Sequence, residues 1–239
     1  MTSNLHAPNG LSIIPVAGIP EIGEGDDLAA VTVANATLRD GDVVVITQKI
    51  VSKAEGRIRH IKEDDSAGFE RLVAGEARRI LRRRGTLTIT ETHHGFICAN
   101  AGIDRSNTAV DTVALLPLDP DLSARRIQRR IEVLGQVAVG VIITDTFGRT
   151  WRNGVTDVAI GCAGVAGVVD LRGTVDAQGR TLQATEVCIA DEIAGAADLV
   201  KPKDGNIPIV IVRGLDSSYL RPSSVSAEIV RSPQGDLFR

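Results

Sequence analysis

Residues 138–146 read AVGVIITDT, an apolar run that ends in an aspartate flanked by two threonines. Valine and isoleucine dominate residues 138–144, which is typical of a strand buried on both faces of a sheet. Residues 42–48, DVVVITQ, repeat the pattern. Similar apolar runs predict further strands at residues 11–16, 86–90, 95–99 and 207–213. The sequence therefore predicts a central sheet.

Segments with helical spacing of apolar residues lie between these strands. They predict helices at residues 26–37, 66–83, 123–134 and 185–200. Asp119, Pro120, Asp121 and Ser123 are cap and turn residues that mark the start of the third helix, which we expect to end at Gly135. The fold class is therefore α/β or mixed α+β, with helices flanking the central sheet.

The chain of 239 residues is long enough to bury a substantial core. It contains no internal repeat and no low-complexity linker, so we expect a single domain over residues 1–239. A glycine-rich stretch at residues 154–173 leaves open a second lobe within residues 154–200. The polar residues 217–239 either pack on a partner subunit or are mobile.

Composition excludes several classes of protein. The chain has 27 Lys and Arg residues against 30 Asp and Glu, with one Trp and one Tyr, so we expect no nucleic-acid partner. Cys98, Cys162 and Cys188 are widely separated and form none of the close pairs that bind zinc, which predicts reduced packing residues. No secretory signal precedes the first strand, and no apolar run is long enough to cross a bilayer. We therefore expect a cytoplasmic protein with no membrane segment.

Polar side chains follow the predicted strand at residues 95–99. The sequence there is NAGIDRSN at residues 100–107, in which Asp104 offers a hard oxygen ligand for magnesium or manganese and Asn107 offers hydrogen bonds to a nucleotide. Ligand sites in open α/β sheets lie at the carboxyl ends of strands. Taken alone, an Asp and an Asn in such a loop are more often turn formers than ligands.

Asp145 and Thr146 follow the strand at residues 138–144 in the same way. Magnesium usually keeps several waters and takes only one or two carboxylates plus phosphate oxygens, so Asp104, Asp145 and Thr146 are a sufficient set of ligands. A simple strand-end cap is the alternative. Arg149 and Arg152, which come next, would hold phosphate or carboxylate, or form surface salt bridges.

Three further segments are candidates for phosphate or purine contacts. Residues 47–57 carry Lys53 after a strand, but the glycine spacing of a Walker A loop is absent and solvated lysines remain the alternative. Residues 15–22 form a stiff turn with two prolines around Gly18, which would grip a purine through its backbone or merely connect two elements. Residues 201–206 would close over phosphates or link a helix to a strand.

Two basic groups are not assigned to a site. His93 and His94 are neighbours on a strand and point to opposite faces, so they cannot both bind one metal ion. Five arginines at the end of the predicted helix at residues 66–83 and just after it are expected to form a solvated face, although an anionic substrate could use them. They are Arg78, Arg79, Arg82, Arg83 and Arg84.

Six stretches, in this order along the chain, together resemble the coenzyme F420-0:L-glutamate ligase (gamma-glutamyl ligase) family. They are IPVAGIPEI at residues 14–22, DGDVVVITQKIVSKAEGR at 40–57, NAGIDRSN at 100–107, LLPLDPDLSA at 115–124, GVIITDTFGR at 140–149 and ADEIAGAADLV at 190–200. The chain resembles the stand-alone form of the family, without a nitroreductase-like second domain.

The resemblance implies a GTP-driven reaction with Mg²⁺ or Mn²⁺, helped by K⁺, in an intertwined homodimer of mixed α/β subunits. It gives the metal role to Asp104, Asp145 and Thr146. It implies nucleotide contacts for nine residues: Ile19, Pro20, Glu21, Ile22, Gln48, Lys49, Lys53, Asn107 and Lys203.

The implied reaction joins L-glutamate to coenzyme F420-0 and then adds γ-linked glutamate, through an acyl phosphate, with release of GDP and phosphate. Asp104, Asp145 and Lys53 are the expected catalytic residues. Three other functions remain open: a metal-dependent phosphohydrolase, another nucleotide-dependent amide ligase, and a noncatalytic carrier of GTP or deazaflavin.

Overall fold

The computed structural model describes residues 10–106, 109–202 and 205–237 of the chain. Within those ranges the chain has a mixed α/β fold with a central sheet, which confirms the predicted class. The strands are β1 (Ser12–Pro15), β2 (Val43–Thr47), β3 (Ile58–His60), β4 (Ala77–Arg84), β5 (Leu87–Thr92), β6 (Ile97–Ala99), β7 (Thr112–Ala114), β8 (Gly140–Gly148), β9 (Val155–Ala163), β10 (Val169–Asp170), β11 (Glu186–Val187) and β12 (Ile209–Arg213). The helices are α1 (Leu28–Asn35), α2 (Gln48–Ala54), α3 (Ser66–Glu76), α4 (Pro120–Gly135), α5 (Ile189–Asp198) and α6 (Val225–Glu228).

The central sheet has the strand order β1, β12, β2, β8, β9. β2 and β8 are parallel, with Thr47 opposite Thr144, whereas the other neighbours are antiparallel. Three smaller sheets pair β4 with β5 and β6, β3 with β7, and β10 with β11. Because β2 and β8 are parallel, the segments that follow Thr47 and Thr144 lie at the same edge of the central sheet.

The apolar runs of β2 and β8 form the centre of the core. Val43, Val44, Val45 and Ile46 are fully buried, as are the residues opposite them in β8. Each such side chain contributes about 1.5–3 kcal/mol when it leaves water. Helices α4 and α5 both pack against β9 and β8 and cover the sheet.

Helix α4 begins where its cap residues predict. The side chain of Asp119 accepts a hydrogen bond from the backbone N–H of Leu122 at 2.8 Å, and Pro120 occupies the first turn. Gly161 of β9 lies against this turn: a β-carbon at Gly161 would lie 2.4 Å from the carbonyl oxygen of Pro120. Only glycine therefore lets β9 approach the start of α4 this closely.

The predicted helix at residues 66–83 is wrong in its second half. Helix α3 ends at Glu76, and the chain continues directly into β4 (Ala77–Arg84), which pairs with β5 through a tight turn at Gly85. The five arginines of this stretch therefore lie on an exposed strand instead of a helix. Arginine is a good helix former, but helix propensity is a weak preference that pairing with a neighbouring strand overrides.

The glycine-rich stretch at residues 154–173 contains a strand that the sequence did not predict. β9 (Val155–Ala163) is the edge strand of the central sheet and pairs with β8 over its whole length. The glycines and alanines of β9 prevented its prediction, because small residues weaken the sequence pattern of a strand. A second lobe within residues 154–200 stays a prediction.

The segment after β12 packs on the chain's own core. Asp121 of α4 accepts hydrogen bonds from the backbone N–H groups of Val225 and Ser226, at 2.9 and 3.0 Å. Tyr219, Leu220 and Val225 contact the core cluster. This segment therefore packs against its own chain.

Cys98, Cys162 and Cys188 are unpaired, as predicted. Burial raises the pKa of each thiol to about 12, so none of the three is a reactive thiolate at neutral pH. In the part of the chain that the structure describes, every helix is too short or too polar to cross a bilayer.

Candidate functional site

A cavity of about 360 Å³ opens at the edge of the central sheet where β2 ends. Beyond Thr47 the chain passes into α2, whereas β8 continues past Thr144 beside β9. A register shift between Ile143 and Thr144 interrupts the pairing with β9 at this level. Asp145 therefore lies within β8, whereas the sequence predicted it at the end of the strand. It lies at the point where the parallel neighbour, β2, ends. An irregularity of this kind re-aims the side chains that follow it.

Asp104 reaches the same cavity from a tight turn. The 3₁₀ turn Asn100–Gly102 has left-handed backbone conformations throughout, and Asp104 then exchanges two backbone hydrogen bonds with Ala114, at 3.0 and 2.8 Å. These bonds fix the main chain at Asp104. Its carboxylate accepts from the backbone N–H of Ser106 at 2.6 Å and pairs with the Lys49 ammonium group at 2.9 Å.

Asp145 is half-buried and forms no ion pair with the described residues, whereas Asp104 pairs with a lysine. Burial raises the pKa of Asp145 to about 7, and the negative charges of Asp104 and Asp157 add to this effect. The backbone N–H of Thr146 and the charge of Lys49 act in the opposite direction. Among the described residues, Asp145 is therefore a carboxyl group of the cavity that has no ion-pair partner.

A buried network stands beside Asp145. Asp157 of β9 accepts hydrogen bonds from the hydroxyl groups of Thr146 and Thr144, at 2.6 and 3.0 Å, and forms an ion pair with Lys201. Burial works to raise the pKa of Asp157, but the charge and hydrogen bonds of Lys201 outweigh burial and lower it below the usual value. Asp157 is therefore ionised and already has its cation.

Lys53 and Glu21 line the cavity on the side of α2. Their ammonium and carboxylate groups are 2.5 Å apart, and 81% of the Glu21 side chain is exposed. An ion pair with so exposed a partner contributes little to the stability of the fold. Lys53 can therefore turn to an anionic ligand at small cost.

Several other residues that are predicted to contact nucleotide have buried side chains. The side chains of Ile19 and Ile22 are buried in the core, so only their backbone groups can reach a ligand, while Pro20 is exposed. Gln48 is fully buried and its amide oxygen accepts from Ser52 at 2.8 Å, while its amide nitrogen has no partner within the described chain. Nucleotide contacts by these residues stay predictions.

Asn107 and Lys203 fall outside the described residues. Arg149 and Arg152 are exposed and are not part of the cavity wall. His93 and His94 lie in the turn between β5 and β6 and not on a strand, contrary to the prediction. Their rings contact different backbone carbonyls, those of Gly75 and of Pro117 and Leu118.

The donor set at the cavity fits a magnesium-type ion that also binds phosphate. Within residues 10–106, 109–202 and 205–237, no three His, Cys, Asp or Glu side chains cluster closely enough to hold a metal by themselves. The two carboxylates of Asp104 and Asp145 with the hydroxyl of Thr146 are the number of protein ligands that magnesium takes when phosphate oxygens complete its shell. Asp145 has no ion-pair partner among the described residues, which supports the fit because a partly buried carboxylate is stabilised by a cation.

Asp157 and Lys201 line the cavity, yet the sequence did not identify them as site residues. Asp157 directly precedes the apolar run VAIGCA at residues 158–163, and a charged residue inside an apolar strand is a signal for a buried pair. Its partner lies 44 positions away, so the pairing itself could not be read from the sequence.

Comparison with known proteins gives a consistent result. The sequence pattern of the family described as F420-0:Gamma-glutamyl ligase matches residues 18–214. A protein of Methanopyrus kandleri named coenzyme F420:L-glutamate ligase is 42% identical over 96% of this chain and 98% of its own length. Proteins of the same name from Archaeoglobus fulgidus and Methanothermobacter thermautotrophicus are 41% and 38% identical, each over 96% of this chain and over 96% and 99% of their own lengths.

Proposed function

The chain belongs to the F420-0:gamma-glutamyl ligase family, and from that premise we propose that it joins L-glutamate to coenzyme F420-0. The relatives that carry this name match it over nearly their whole length. We further propose that GTP drives the reaction and that later glutamates are added through γ-linkages.

One observation carries the proposal. Two carboxylates, Asp104 and Asp145, come from elements far apart in the sequence and face one cavity together with Lys49 and Lys53. Carboxylates beside ammonium groups are what a metal-bound triphosphate requires, because the carboxylates hold the ion and the ammonium groups neutralise phosphate oxygens. The negative charge of Asp104 acts on Asp145, which indicates that the two groups are close.

The reaction must activate a carboxylate, which is a poor electrophile. In the first step a carboxylate oxygen of the coenzyme attacks the γ-phosphorus of GTP, the bond to the β-phosphate oxygen breaks, and GDP leaves. The amine of L-glutamate then attacks the acyl phosphate carbon, loses a proton and displaces phosphate. The products are an amide, GDP and phosphate.

The chain's own residues would bind and orient these groups. Asp104, Asp145 and Thr146 would hold Mg²⁺ or Mn²⁺, and the ion when bound would neutralise charge on the transferring phosphoryl group. Lys53 would exchange the exposed carboxylate of Glu21 for phosphate oxygens.

Three further features of the proposal come from the family resemblance. K⁺ is expected to raise turnover, the working form is expected to be a homodimer, and the reaction is placed in the cytoplasm. The apolar side chains of Ile80, Leu81, Leu87 and Ile97, exposed on the small sheet of β4, β5 and β6, support the homodimer, since such side chains are typical of an interface.

The test is an assay of the purified protein with GTP, Mn²⁺, L-glutamate and coenzyme F420-0, read by the mass of the coenzyme. We expect a mass gain of one or more glutamyl groups that requires GTP and is absent when GTP is omitted. The variant Lys53→Met should extend the coenzyme more slowly than the wild-type protein, because it loses a contact to phosphate.

The same assay separates the alternatives. A metal-dependent phosphohydrolase would release GDP at the same rate without glutamate, and a noncatalytic carrier would bind GTP but release no GDP. A ligase for another acceptor would fail to extend coenzyme F420-0 although GDP release still depended on glutamate. Any of these results would overturn the proposal.

A further inference from the structure

A hydrogen-bonded network centred on Asp157 borders the cavity next to Asp145. Asp157 is 4% exposed, and its two carboxylate oxygens accept from three side chains. Oδ1 accepts from the Thr146 hydroxyl at 2.6 Å, whereas Oδ2 accepts from the Thr144 hydroxyl at 3.0 Å and from the Lys201 ammonium group. Lys201 also donates to the oxygen of Thr144 at 3.1 Å. Every group of the network therefore has a partner.

The chemistry of these groups fixes the direction of each hydrogen bond. An ammonium group only donates, and an ionised carboxylate only accepts. Asp157 is ionised because Lys201 is paired with it inside the protein. The Thr144 hydroxyl must therefore accept from Lys201 and donate to Asp157. The Thr146 hydroxyl likewise has to donate its only proton to Asp157.

The direction of the hydrogen bond between Thr146 and Asp157 matters because Thr146 lines the cavity, whereas Thr144 is not among the lining residues. A hydroxyl that has given its proton to Asp157 offers only lone pairs to a ligand in the cavity. Lone pairs attract a cation and repel the oxygen of a phosphate or carboxylate. In the absence of Asp157, the Thr146 proton would be able to turn toward another acceptor, such as the neighbouring carboxylate of Asp145.

We propose that Asp157 is a positioning residue that holds the Thr146 hydroxyl as an acceptor toward the cavity, and that Lys201 keeps Asp157 in place for this purpose. The inference rests on the proposed function, because the divalent cation that Asp104, Asp145 and Thr146 would hold belongs to that reaction. Asp157 acts through Thr146 and is not itself a ligand.

The test measures Mn²⁺ binding instead of turnover. Metal-free protein is titrated with Mn²⁺, alone and with GDP, and the free ion is followed by its electron paramagnetic resonance signal. Asp157→Asn keeps the size of the side chain, but its amide group can donate as well as accept, so the direction of the Thr146 hydroxyl is no longer forced. We expect the Kd for Mn²⁺ to rise by about 10- to 100-fold, the range found when a residue that orients a metal ligand is lost.

Two further variants separate positioning from simple loss of negative charge. In a Thr146→Val background, Asp157→Asn should cause no additional loss of affinity, because the hydroxyl through which Asp157 acts is gone. A further loss of the same size in that background would mean that Asp157 acts only by its charge, and would overturn the inference. Thr144→Val removes a hydroxyl bound to the same carboxylate but outside the cavity, and should leave the Kd unchanged.

Folding of each variant is checked by near-ultraviolet circular dichroism. If Asp157→Asn does not fold, the double variant Asp157→Asn with Lys201→Met removes both buried charges and should show the same loss of affinity. Wild-type affinity in a folded variant that lacks Asp157 would overturn this inference alone. Failure of the wild-type protein to bind Mn²⁺, with or without GDP, would instead overturn the metal site of the proposed function and this inference with it.

Discussion

At the scale of single residues, the site is defined by how each carboxylate is neutralised. Asp104 pairs with Lys49, and Asp157 pairs with Lys201, whereas Asp145 has no ion-pair partner among the described residues. A partly buried carboxylate without a cation costs folding free energy. A protein retains such a group where its charge has a use. Its position therefore marks the centre of the site.

Replacing Asp145 with Asn should lower turnover by at least about 100-fold, because the site loses the carboxylate that has no ion-pair partner among the described residues. The same change should stabilise the metal-free protein above pH 7 by on the order of 1–4 kcal/mol. The sign follows from the pKa of about 7 in the folded protein, above the usual 3.8. The unfolded chain loses this proton first as pH rises, so wild-type stability falls between these two pH values.

The measurements are steady-state turnover and urea unfolding of metal-free protein at about pH 5 and about pH 8. The gain in stability should be larger at the higher pH and should disappear when Mn²⁺ is added. Wild-type turnover in a folded variant would remove Asp145 from the mechanism. If the metal-free variant were less stable than wild type at the higher pH, this would contradict the assignment of Asp145 as a carboxylate without a cation.

At the scale of elements, the C-terminal segment is fastened to the core by charged hydrogen bonds. Arg221 binds both carboxylate oxygens of Glu228, at 2.6 and 2.9 Å, and Glu228 also accepts from the backbone N–H of Val168 at 3.0 Å. Two-pronged pairs of this kind are stronger than ordinary surface salt bridges. The pair joins α6 to the chain just before β10.

Glu228→Gln should destabilise the protein by about 1–2 kcal/mol, at the lower end of the range for charged hydrogen bonds because Arg221 is partly exposed. The hydrogen bonds of Arg221 lower the pKa of Glu228 to about 2, although burial opposes them. This stability is present above the usual pKa of 4.5 and is lost as pH falls toward about 2. Urea unfolding of wild type and variant should therefore give curves that converge in acid.

Asp170→Asn is the matched control. The Arg172 guanidinium lowers the pKa of Asp170 to about 2 as well, but the pair is exposed and its members are two positions apart. The contact can persist in the unfolded chain, so its loss should leave the free energy of unfolding unchanged. Equal destabilisation by the two variants would show that the Glu228 pair has no special structural role.

At the scale of the whole molecule, the small sheet of β4, β5 and β6 exposes several apolar side chains. Leu87 is 43% exposed and Ile97 39%, and β4 is an edge strand of this sheet. Exposed apolar side chains beside an edge strand are typical of an interface with another chain.

Leu87→Glu and Ile97→Glu should shift the proposed homodimer toward monomer, because each places a charge in an apolar contact. The measurement is sedimentation velocity over a range of protein concentrations. Val133→Glu on α4, at a side chain that is 70% exposed, is the control and should leave the dimer intact. A monomeric wild-type protein, or dimers in all three variants, would contradict this interface.

The amino-acid sequence by itself determined the central strands, the flanking helices and the acidic positions near the sheet edge. Buried strands such as β2 and β8 leave continuous apolar runs, and the start of α4 has its own cap residues, so local chemistry was sufficient for them. The same strand-end reasoning selected Asp104 and Asp145, which the structure brings to one cavity.

Only the tertiary structure decided the identity of β4 and β9 and the partners of the charged groups. β4 became a strand because β5 pairs with it, although its arginines suit a helix equally well. Lys201 bonds Thr144 from 57 positions away and Asp157 from 44. Periodicity reports only which way neighbouring side chains point, so a contact between distant segments, and the pKa that follows from it, is determined by the fold.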